Sequence, residues 1–336
     1  MTQVLNNISI IGAGAWGTAL ADVLAKAGRK VTLYARDVKL AETVNSAHEN
    51  TAYLPGEKIS PDIRATADIA GSVAGAQLVL LVTPAQYLRE TLKRFSPHLP
   101  KNVPLVNCAK GIEMTTGYLL SEVAHAVVPD HPYATLSGPS FAIETVRGLP
   151  TAVTLATEAG EAEGQLWAAS VRGKAFRPYL SPDPIGVEIA GALKNVIAIA
   201  CGIVEGRRLG QNAKAAVMTR GLAEVKRLGV SRGAKPETFL GLAGVGDMTL
   251  TCSSMTSRNY SLGFEIGEGK TLEEILKSRR SVAEGVTTAW AIADYAEEHG
   301  VDMPICMGVQ AILRNKADVG EVVQGLLARG LRQEAD

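Results

Sequence analysis

The sequence predicts an α/β protein, with a Rossmann-type, doubly wound and mostly parallel sheet in the N-terminal half and an all-helical C-terminal half. Two observations carry this prediction. Short apolar runs alternate with helical stretches up to residue 183, and no convincing run of strand period follows. The proline-rich segment SPDP at 181–184 marks a natural boundary. We therefore expect one domain over residues 1–183 and a helical domain over residues 184–336.

The composition is that of an ordinary globular protein, with 336 residues of which 46% are hydrophobic and 20% charged. Lys+Arg and Asp+Glu both number 34, so no net basic field attracts nucleic acid or anionic lipid, and we expect neither as a partner. The four cysteines are far apart and form no CxxC pair, which excludes a familiar zinc site and favours reduced thiols. A signal peptide has Lys or Arg before its apolar core, and neither residue precedes the apolar stretch 8–21. We therefore expect a soluble cytoplasmic protein.

A glycine-rich turn follows the first expected strand, residues 7–11. Gly12, Gly14 and Gly17 form the pattern G-A-G-A-W-G, which a helical stretch and a second strand at 30–35 follow. In this context the first glycine permits a tight turn, the second lets the backbone approach a pyrophosphate, and the third lets helix and strand pack closely. The N-terminus of the helix then faces the anion, which predicts a dinucleotide-binding domain over residues 1–183.

The end of the second strand bears on which dinucleotide is bound. An NAD-specific fold places Asp or Glu there, against the ribose 2′-hydroxyl, whereas this chain has Arg36, followed by Asp37. A guanidinium suits a 2′-phosphate and can also stack on adenine. We therefore expect NADP, as NADPH, to be the preferred cofactor, with NAD accepted. The alternative is a surface arginine at a strand end.

Three residues that suit ligand binding follow expected strands. Lys110 comes just after the strand at 103–108, and Gly138 and Ser140 come just after the strand at 133–137. Ligands of doubly wound sheets bind beyond the carboxyl ends of the strands. This position favours a binding role for all three. The remaining expected strands of the sheet are 77–83, 151–157 and 175–180.

One long helix is expected at 184–205, and it is apolar nearly all round. Such a helix is typical of a protein interior, and Glu188, Lys194 and Asn195 interrupt it too centrally for a membrane span. A buried ammonium needs a partner, a lowered pKa or a ligand. Lys194 is therefore either half of a structural ion pair or a functional group.

The segment 244–259, GVGDMTLTCSSMTSRN, shows no clean helical period and is expected to be irregular. It carries Asp247, and Arg258 next to Asn259. A guanidinium beside hydroxyl and amide donors suits a phosphate monoester. The alternative is a solvated loop whose hydroxyl groups satisfy its own backbone. Helices are expected elsewhere in this half, at 210–228, 272–277, 281–298, 303–316 and 321–328.

The chemistry that fits a nicotinamide cofactor needs an acid for the carbonyl oxygen during hydride transfer. None of the five histidines lies at an expected strand end or in the segment 244–259, and neither a Cys/His zinc set nor a Tyr-x-x-x-Lys pair is present. Lys194 remains, because burial can lower the pKa of a lysine towards neutrality. Asp247 is the natural group to orient it.

These segments resemble those of the bacterial NAD(P)-dependent glycerol-3-phosphate dehydrogenases, which interconvert dihydroxyacetone phosphate and sn-glycerol 3-phosphate. The matches cover nearly the whole chain in the order of that family. They are GAGAWGTALA (12–21), AYLPG (52–56), NCAKGIE (107–113), SGPSFA (137–142), ALKNVIAIACG (192–202), GLAGVGD (241–247), TSRN (256–259) and SVAEG (281–285).

The resemblance implies a role for each matching residue, with Lys194 as the catalytic acid and base. The implied substrate site comprises Lys110, Gly138, Ser140, Lys194, Asn195, Asp247, Ser257, Arg258 and Asn259. The implied cofactor site comprises Gly12, Gly14, Ala15, Trp16, Gly17, Arg36, Tyr53, Lys110, Ala142, Arg258, Val282 and Glu284. Ala15 departs from the family, in which serine is common. A backbone N–H contact to phosphate survives that change, whereas a hydroxyl contact does not. The resemblance also implies a homodimer and a role in phospholipid synthesis.

Two other functions fit parts of the pattern. One is a related reductase that uses a buried lysine and acts on a β-hydroxyacid or ketopantoate, although such a substrate needs a clamp for a carboxylate. The other is a regulator that binds NADPH without turnover, which does not need a buried lysine at the site. The basic residue beside Asn259 favours a phosphorylated substrate instead.

Overall fold

The computed structural model describes residues 4–279, 283–330 and 333. Its internal contacts divide the chain into two compact units. We call the first the sheet unit, which comprises Met1–Ala109 and Leu120–Pro184. We call the second the helical unit, which comprises Lys110–Leu119 and Ile185–Asp336. The predicted class, a Rossmann-type sheet followed by helices, is confirmed.

The strands of the sheet unit are β1 (Asn7–Ile11), β2 (Lys30–Tyr34), β3 (Ile63–Thr66), β4 (Leu78–Leu81), β5 (Leu105–Asn107), β6 (Tyr133–Ser137), β7 (Thr151–Thr157) and β8 (Phe176–Ser181). They form one eight-stranded sheet in the order β3-β2-β1-β4-β5-β6-β7-β8. All neighbouring pairs run parallel except β6 and β7. Because β1 lies between β2 and β4, with Ile11 opposite Leu81, the turn after β1 is flanked by the end of β4.

Helices cover both faces of this sheet, because alternate residues of its central strands enter two different cores. Ile10 and Leu80 pack with the first helix of the chain, whereas Ile11 and Leu81 pack with a helix that follows β4. Strands buried on both faces are apolar along their whole length, as in LVLL of β4. The helices of this unit are α1 (Ala15–Lys26), α2 (Val38–Ala47), α3 (Ile69–Val73), α4 (Leu88–Phe95), α5 (Leu120–Val127), α6 (Ala142–Val146) and α7 (Glu161–Val171), with short 3₁₀ turns at Ala85–Tyr87 and Ser96–His98.

The helical unit is built around one hydrophobic core. Its helices are α8 (Pro184–Gly206), α9 (Gln211–Ser231), α10 (Asp247–Thr251), α11 (Arg258–Gly267), α12 (Leu272–Ser278), α13 (Glu284–His299), α14 (Pro304–Asn315) and α15 (Val319–Leu327), with a 3₁₀ turn at Pro236–Leu240 and a π-helical turn at Leu242–Gly246. The segment Lys110–Leu119 belongs to this unit because Ile112 and Leu119 lie in the same core. A single domain boundary at residue 183 stays a prediction. The segment Lys110–Leu119 precedes that position in the chain but packs with the helical unit.

Helix α8 is the central element of the helical unit. It is the one helix of the described residues that is long and apolar enough for a bilayer by length and composition, and its most apolar window is wholly buried within the protein. Every residue from Val187 to Ile203 is buried, so the helix has no side free to face lipid. This burial is the behaviour expected from its sequence.

Helices α8 and α11 touch through their backbones at glycine. A Cβ on Gly202 or Gly206 of α8 would lie 2.1 Å from the carbonyl oxygen of Tyr260 or 2.3 Å from that of Phe264. Conversely, a Cβ on Gly263 of α11 would lie 2.0 Å from the carbonyl oxygen of Ile199. No side chain fits between helices this close. The glycines therefore set the position of α11, which carries residues of the candidate site at its N-terminus.

The structure differs from the expected elements in two places. Strand β3 and helices α2 and α3 lie between the strands expected at 30–35 and 77–83, a stretch for which the sequence analysis named no element. The expectation of an irregular segment at 244–259 was wrong, because α10 occupies Asp247–Thr251 and α11 begins at Arg258. The helical period is weak in this sequence because many of its residues are Ser or Thr. In the structure, the hydroxyl groups of Thr249 and Ser253 donate to carbonyl oxygens four residues earlier, at 2.7 and 2.5 Å.

Candidate active site

The turn between β1 and α1 has two positions at which only glycine fits without a steric clash. Gly12 has a φ of +122°, and a Cβ there would lie 2.5 Å from the carbonyl oxygen of Val82, just beyond β4. A Cβ on Gly17 would lie 1.9 Å from the carbonyl oxygen of Gly12. The roles predicted for these two glycines, the tight turn and the close approach of helix and strand, agree with this geometry.

The N-terminus of α1 is open towards a ligand. Gly14 is its N-cap residue, no side chain of the described chain caps it, and a Cβ built on Gly14 would meet no described atom within 4 Å. Ala15 and Trp16 form the start of the helix and are half-buried. The hydroxyl of Thr83, next to Val82, is buried without a hydrogen-bond partner among the described residues. Uncapped N–H groups, open space and an unsatisfied hydroxyl together fit a pyrophosphate.

The residues after β2 suit a phosphate better than a ribose hydroxyl. Arg36 is exposed just beyond the strand. The carboxylate of Asp37 is already used, because it accepts the backbone N–H of Lys39 at 2.9 Å as the N-cap of α2. Tyr53 lies on a separate turn of the same unit with 55% of its surface exposed. Asp37 is thus engaged in holding a helix, and Arg36 is the side chain presented to solvent.

The predicted substrate residues of the sheet unit lie at the end of β6. Gly138 follows the strand directly, Ser140 donates its hydroxyl to the carbonyl oxygen of Gly138 at 3.0 Å, and Ala142 begins α6. A Cβ on Gly138 would lie 2.9 Å from the Cα of Val153 in β7. These three residues therefore lie together, and the remaining predicted substrate residues lie in the helical unit.

Two lysines, one aspartate and one threonine form a cluster in the helical unit, where Lys194, Asp247 and Thr251 are buried and Lys110 is half-buried. The Nζ of Lys194, on α8, lies 2.5 Å from Oδ1 of Asp247 at the start of α10. The Nζ of Lys110 lies 2.7 Å from Oδ2 of the same carboxylate. The Nζ of Lys194 also donates to the hydroxyl of Thr251 at 2.7 Å. One carboxylate thus holds both ammonium groups, and we call these four residues the lysine–aspartate cluster.

Burial dominates the electrostatics of Lys194, whose side chain is 8% exposed. Burial lowers the pKa of Lys194 from 10.5 to about 8, because the charged form loses its hydration, while the charge of Asp247 opposes this shift and that of Lys110 adds to it. Burial alone would raise the pKa of Asp247, but the ammonium groups of Lys110 and Lys194 outweigh that effect and hold this pKa below its usual range. Lys194 can therefore gain and lose a proton near neutral pH.

A second group of predicted residues joins three elements beside this cluster. Asn259, in the first turn of α11, donates its amide to Oδ1 of Asn195 at 2.9 Å. The other atom of that amide, Oδ1, accepts the backbone N–H of Gly285 at 3.0 Å. Because Asn195 directly follows Lys194 on α8, these bonds tie the start of α11 and the first turn of α13 to the lysine helix.

The remaining predicted residues lie at the ends of α11 and α13. Ser257 is buried as the N-cap of α11, where its hydroxyl accepts the backbone N–H of Tyr260 at 3.3 Å. Arg258 is the first residue of that helix and is exposed. Glu284 is the first residue of α13 and is half-buried. Val282, predicted to contact the cofactor, lies outside the described residues.

Thr251 is the member of the cluster that the sequence analysis missed. Its hydroxyl accepts from Lys194 and lies 3.2 Å from Oδ1 of Asp247, four residues earlier on α10. A spacing of four places two side chains on one face of a helix. That signal was present in the sequence, but it was lost once the segment was expected to be irregular.

The arrangement can protonate an oxygen and stabilise negative charge on it. Lys194 supplies a proton, and two cations share one carboxylate, which leaves a net positive charge in a buried site. Among the described residues no group of three or more His, Cys, Asp or Glu side chains is arranged to hold a metal ion.

Comparisons with known proteins agree with this geometry. The sequence profiles of the NAD-dependent glycerol-3-phosphate dehydrogenase family match residues 7–163, with the N-terminal profile, and residues 183–324, with the C-terminal profile. A protein of Rhodospirillum rubrum named glycerol-3-phosphate dehydrogenase (NAD(P)+) is 51% identical over 335 residues, which is 99% of this chain and 95% of that protein. One of the same name from Caulobacter vibrioides is 51% identical over 333 residues, which is 99% of this chain and 100% of that protein.

Solved structures show the same likeness. The crystal structure of glycerol-3-phosphate dehydrogenase from Coxiella burnetii superimposes with a TM-score of 0.92 at 37% identity, over 97% of this chain and 99% of that one. A ketopantoate reductase of Ralstonia eutropha superimposes with a TM-score of 0.57 at 14% identity, over 92% of this chain and 97% of that one. The second likeness concerns the fold alone.

Proposed function

Because the chain belongs to the NAD-dependent glycerol-3-phosphate dehydrogenase family and is an NAD(P)-dependent oxidoreductase, we propose that Lys194 is the proton donor with which it reduces dihydroxyacetone phosphate to sn-glycerol 3-phosphate. The observation that carries this proposal is the contact of 2.5 Å between Lys194 and Asp247 inside an apolar core. A lysine held there with a pKa of about 8 is suited to exchange a proton with an alcohol or a carbonyl oxygen near neutral pH.

In this reaction the nicotinamide, when bound, supplies a hydride to the carbonyl carbon. Lys194 then gives its proton to the carbonyl oxygen as that oxygen becomes an alkoxide, and it takes the proton back in the reverse direction. Asp247 and Thr251 each bind the Nζ of Lys194, so they fix the direction of its remaining N–H. Asp247 is thus an orienting group, which itself stays ionised.

Lys110 has an electrostatic role in this proposal. Its ammonium neutralises Asp247 from the second oxygen, at 2.7 Å, so the carboxylate does not hold Lys194 as tightly as an unshared one. The cluster as a whole then carries one net positive charge. A preorganised positive charge stabilises an alkoxide more than it stabilises a neutral carbonyl, which accelerates the reaction.

The substrate phosphate is assigned to the start of α11. Arg258 is an exposed cation in the first turn of a ten-residue helix, and Asn259 lies beside it. Both the helix dipole and the guanidinium favour an anion at this place. We assign the rest of the substrate contacts to Ser257, Asn195, Gly138 and Ser140.

The cofactor is assigned to the glycine turn and the end of β2. Gly14 and Ala15 would hold the pyrophosphate through backbone N–H groups at the start of α1, while Gly12 and Gly17 would shape the turn, since the N–H of Gly12 already donates to the carbonyl oxygen of Tyr34 at 3.2 Å. Arg36 would hold the 2′-phosphate of NADPH. Further contacts are assigned to Trp16, Tyr53, Lys110, Ala142, Arg258, Val282 and Glu284. We therefore propose that NADPH is preferred over NADH.

Mixing the protein with NADPH and dihydroxyacetone phosphate tests the function directly. We expect the absorbance of the reduced nicotinamide to fall, and to fall far more slowly with unphosphorylated dihydroxyacetone or with ketopantoate. Turnover of ketopantoate but not of dihydroxyacetone phosphate would favour the related reductase. Binding of NADPH with no turnover of any of the three would favour a regulator.

The setting of the reaction is proposed from the family. sn-Glycerol 3-phosphate is the backbone on which phospholipids are built, so we propose that the enzyme supplies phospholipid synthesis. We also propose that it acts in the cytoplasm and that it is a homodimer. Mass measurement in solution tests the dimer.

A further inference from the structure

Asn50 is a wholly buried amide that joins the glycine turn to another part of the sheet unit. Its Nδ2 donates to the carbonyl oxygen of Ala13, inside the glycine turn, at 2.9 Å. The same nitrogen donates to the hydroxyl of Thr18 on α1 at 2.7 Å. Its Oδ1 accepts the backbone N–H of Tyr53 at 3.1 Å. Both amide hydrogens and the amide oxygen are therefore used, and none of these bonds lies within a regular element.

The bond to Ala13 has a consequence for the neighbouring peptide. The peptide between Ala13 and Gly14 is trans and planar, so its carbonyl and its N–H point in opposite directions. Because Asn50 holds the carbonyl, it also fixes the N–H of Gly14 to face away from Asn50. Glycine is the residue least able to hold its own backbone in one orientation, so a turn rich in glycine gains most from an external hold.

We propose that Asn50 is a positioning residue for the dinucleotide, which fixes the glycine turn in its binding orientation and ties it to the turn that carries Tyr53. This inference rests on the cofactor site of the proposed function. Asn50 itself lies too deep to touch a ligand, since none of its surface is exposed. Its effect is to lower the ordering that the turn must undergo when the pyrophosphate binds.

The chain offers a control in Asn45 on α2, which forms amide hydrogen bonds of the same kind but is exposed, whereas Asn50 is wholly buried. The amide of Asn45 donates to the carbonyl oxygen of Ala65 at 2.9 Å and accepts the backbone N–H of Ala65 at 2.8 Å. It therefore joins a helix to β3 in the same unit with bonds of the same kind, but it does not touch the glycine turn. Asn45→Asp and Asn50→Asp make the same chemical change, which removes donors and keeps the shape.

The test is the affinity for NADPH, measured by nicotinamide fluorescence without substrate on protein whose folding circular dichroism has verified. We expect Asn50→Asp to raise the dissociation constant about tenfold or more, since the Ala13 carbonyl loses its donor and faces a carboxylate. Thr18→Val leaves the hydrogen bond from Asn50 to Ala13 in place, so it should raise the dissociation constant for NADPH less than about threefold. At saturating NADPH, the turnover of Asn50→Asp should approach that of the unchanged protein, because the lysine–aspartate cluster is intact.

The outcome is read against the control. A loss of NADPH affinity in Asn50→Asp at least about threefold larger than in Asn45→Asp supports the proposal, and any smaller difference overturns it. If Asn50→Asp does not fold, Asn50→Ser replaces it under the same criterion, because a serine is too short to reach both partners. Since substrate is absent, the comparison stands apart from the proposed reaction: a protein that binds NADPH but fails to reduce dihydroxyacetone phosphate would overturn the function and leave this result intact.

Discussion

Lys194 illustrates how a buried charge is tolerated and how, in the proposed function, it is used. Removing an ammonium from water costs several kcal/mol, and a partner returns that energy only with good geometry. Here Asp247 and Thr251 both bind Nζ, yet the pKa of Lys194 still lies at about 8, so the compensation is incomplete. A lowered pKa gives no advantage to a lysine whose role is purely structural. It is an advantage for a proton donor, because the proton is easier to transfer.

Lys194→Met tests this reading. The change keeps length and approximate volume, and Asp247 remains paired with Lys110 at 2.7 Å, so the protein should fold with its thermal stability nearly unchanged. Turnover should fall by about 10²–10⁴-fold, the usual effect of losing a general acid. Lys194→Arg should be similarly slow, because a guanidinium does not release its proton near neutral pH. A well-folded Lys194→Met protein with near-normal turnover would exclude the catalytic role.

The pH dependence of reduction should report the same group. Lys194 must be protonated to act as the acid, so kcat/KM for dihydroxyacetone phosphate, which reports groups of the free enzyme, should fall as the pH rises through about 8. The charge of Asp247 raises this pKa and that of Lys110 lowers it. Asp247→Asn should therefore move the falling limb to lower pH, and Lys110→Met should move it to higher pH. Limbs that shift in the same direction in both variants would show that another group titrates.

At the scale of single residues, the sequence predicts chemistry better than contacts. Lys194 could be singled out because it is a cation on an apolar helix, and Arg36 because it occupies the usual acidic position. The pairing of Lys110 with Asp247 could not be foreseen, since 137 positions separate them. Nor could the use of Asp37 as a helix cap be decided, because an Asp that caps a helix and an Asp that binds a ribose look alike in sequence.

At the scale of elements, backbone contact between α8 and α11 fixes where the residues that we assign to the substrate phosphate lie. Gly202 and Gly206 face α11, while Gly263 and Gly267 face α8, at a spacing of four residues on each helix. The sequence analysis predicted that α8 is buried but did not predict that α11 packs against it. Period alone cannot do so, because it describes one helix and not the surface against which that helix packs.

Gly263→Ala should reveal how tight this contact is. The new Cβ would lie 2.0 Å from a carbonyl oxygen of α8, so the helices must separate, and we expect a loss of about 3 kcal/mol or more in the free energy of unfolding. Gly325→Ala is the matched control on α15, where a Cβ meets no described atom within 4 Å. That change should stabilise the protein by about 0.5–1 kcal/mol, because alanine is the better helix former. Urea denaturation measures both, and equal effects would contradict the argument.

At the scale of the whole molecule, the fold class was predictable and the grouping of the chain was not. A change from strands to helices near residue 183 is visible as a change of period. That Lys110–Leu119 packs with the helical unit is invisible there, because the segment sits between two strands of the sheet in the chain order. It matters for function, because this segment brings the second lysine to Asp247. Long-range packing, which no local pattern encodes, assembled the site.

The two units carry different parts of the proposed chemistry, so binding of the cofactor and transfer of the proton should be separable in the intact protein. Arg36, in the sheet unit, is assigned to the 2′-phosphate, whereas Lys194 lies in the helical unit. NADPH at about 100 times its dissociation constant should stabilise the unchanged protein and Lys194→Met alike, by about 2.7 kcal/mol. Scanning calorimetry measures this as a rise in Tm.

Arg36→Ala should weaken cofactor binding but leave proton transfer intact, the reverse of the effect expected for Lys194→Met. It should lose about 1.5–3 kcal/mol of NADPH binding, the value of a hydrogen bond to a charged group, and much less of NADH binding. Its turnover with saturating NADH should stay close to that of the unchanged protein, because the lysine–aspartate cluster is untouched. Equal losses of NADPH and NADH affinity would mean that Arg36 stacks on adenine and does not read the phosphate. A fall in turnover at saturating NADH would mean that the two functions are not separable.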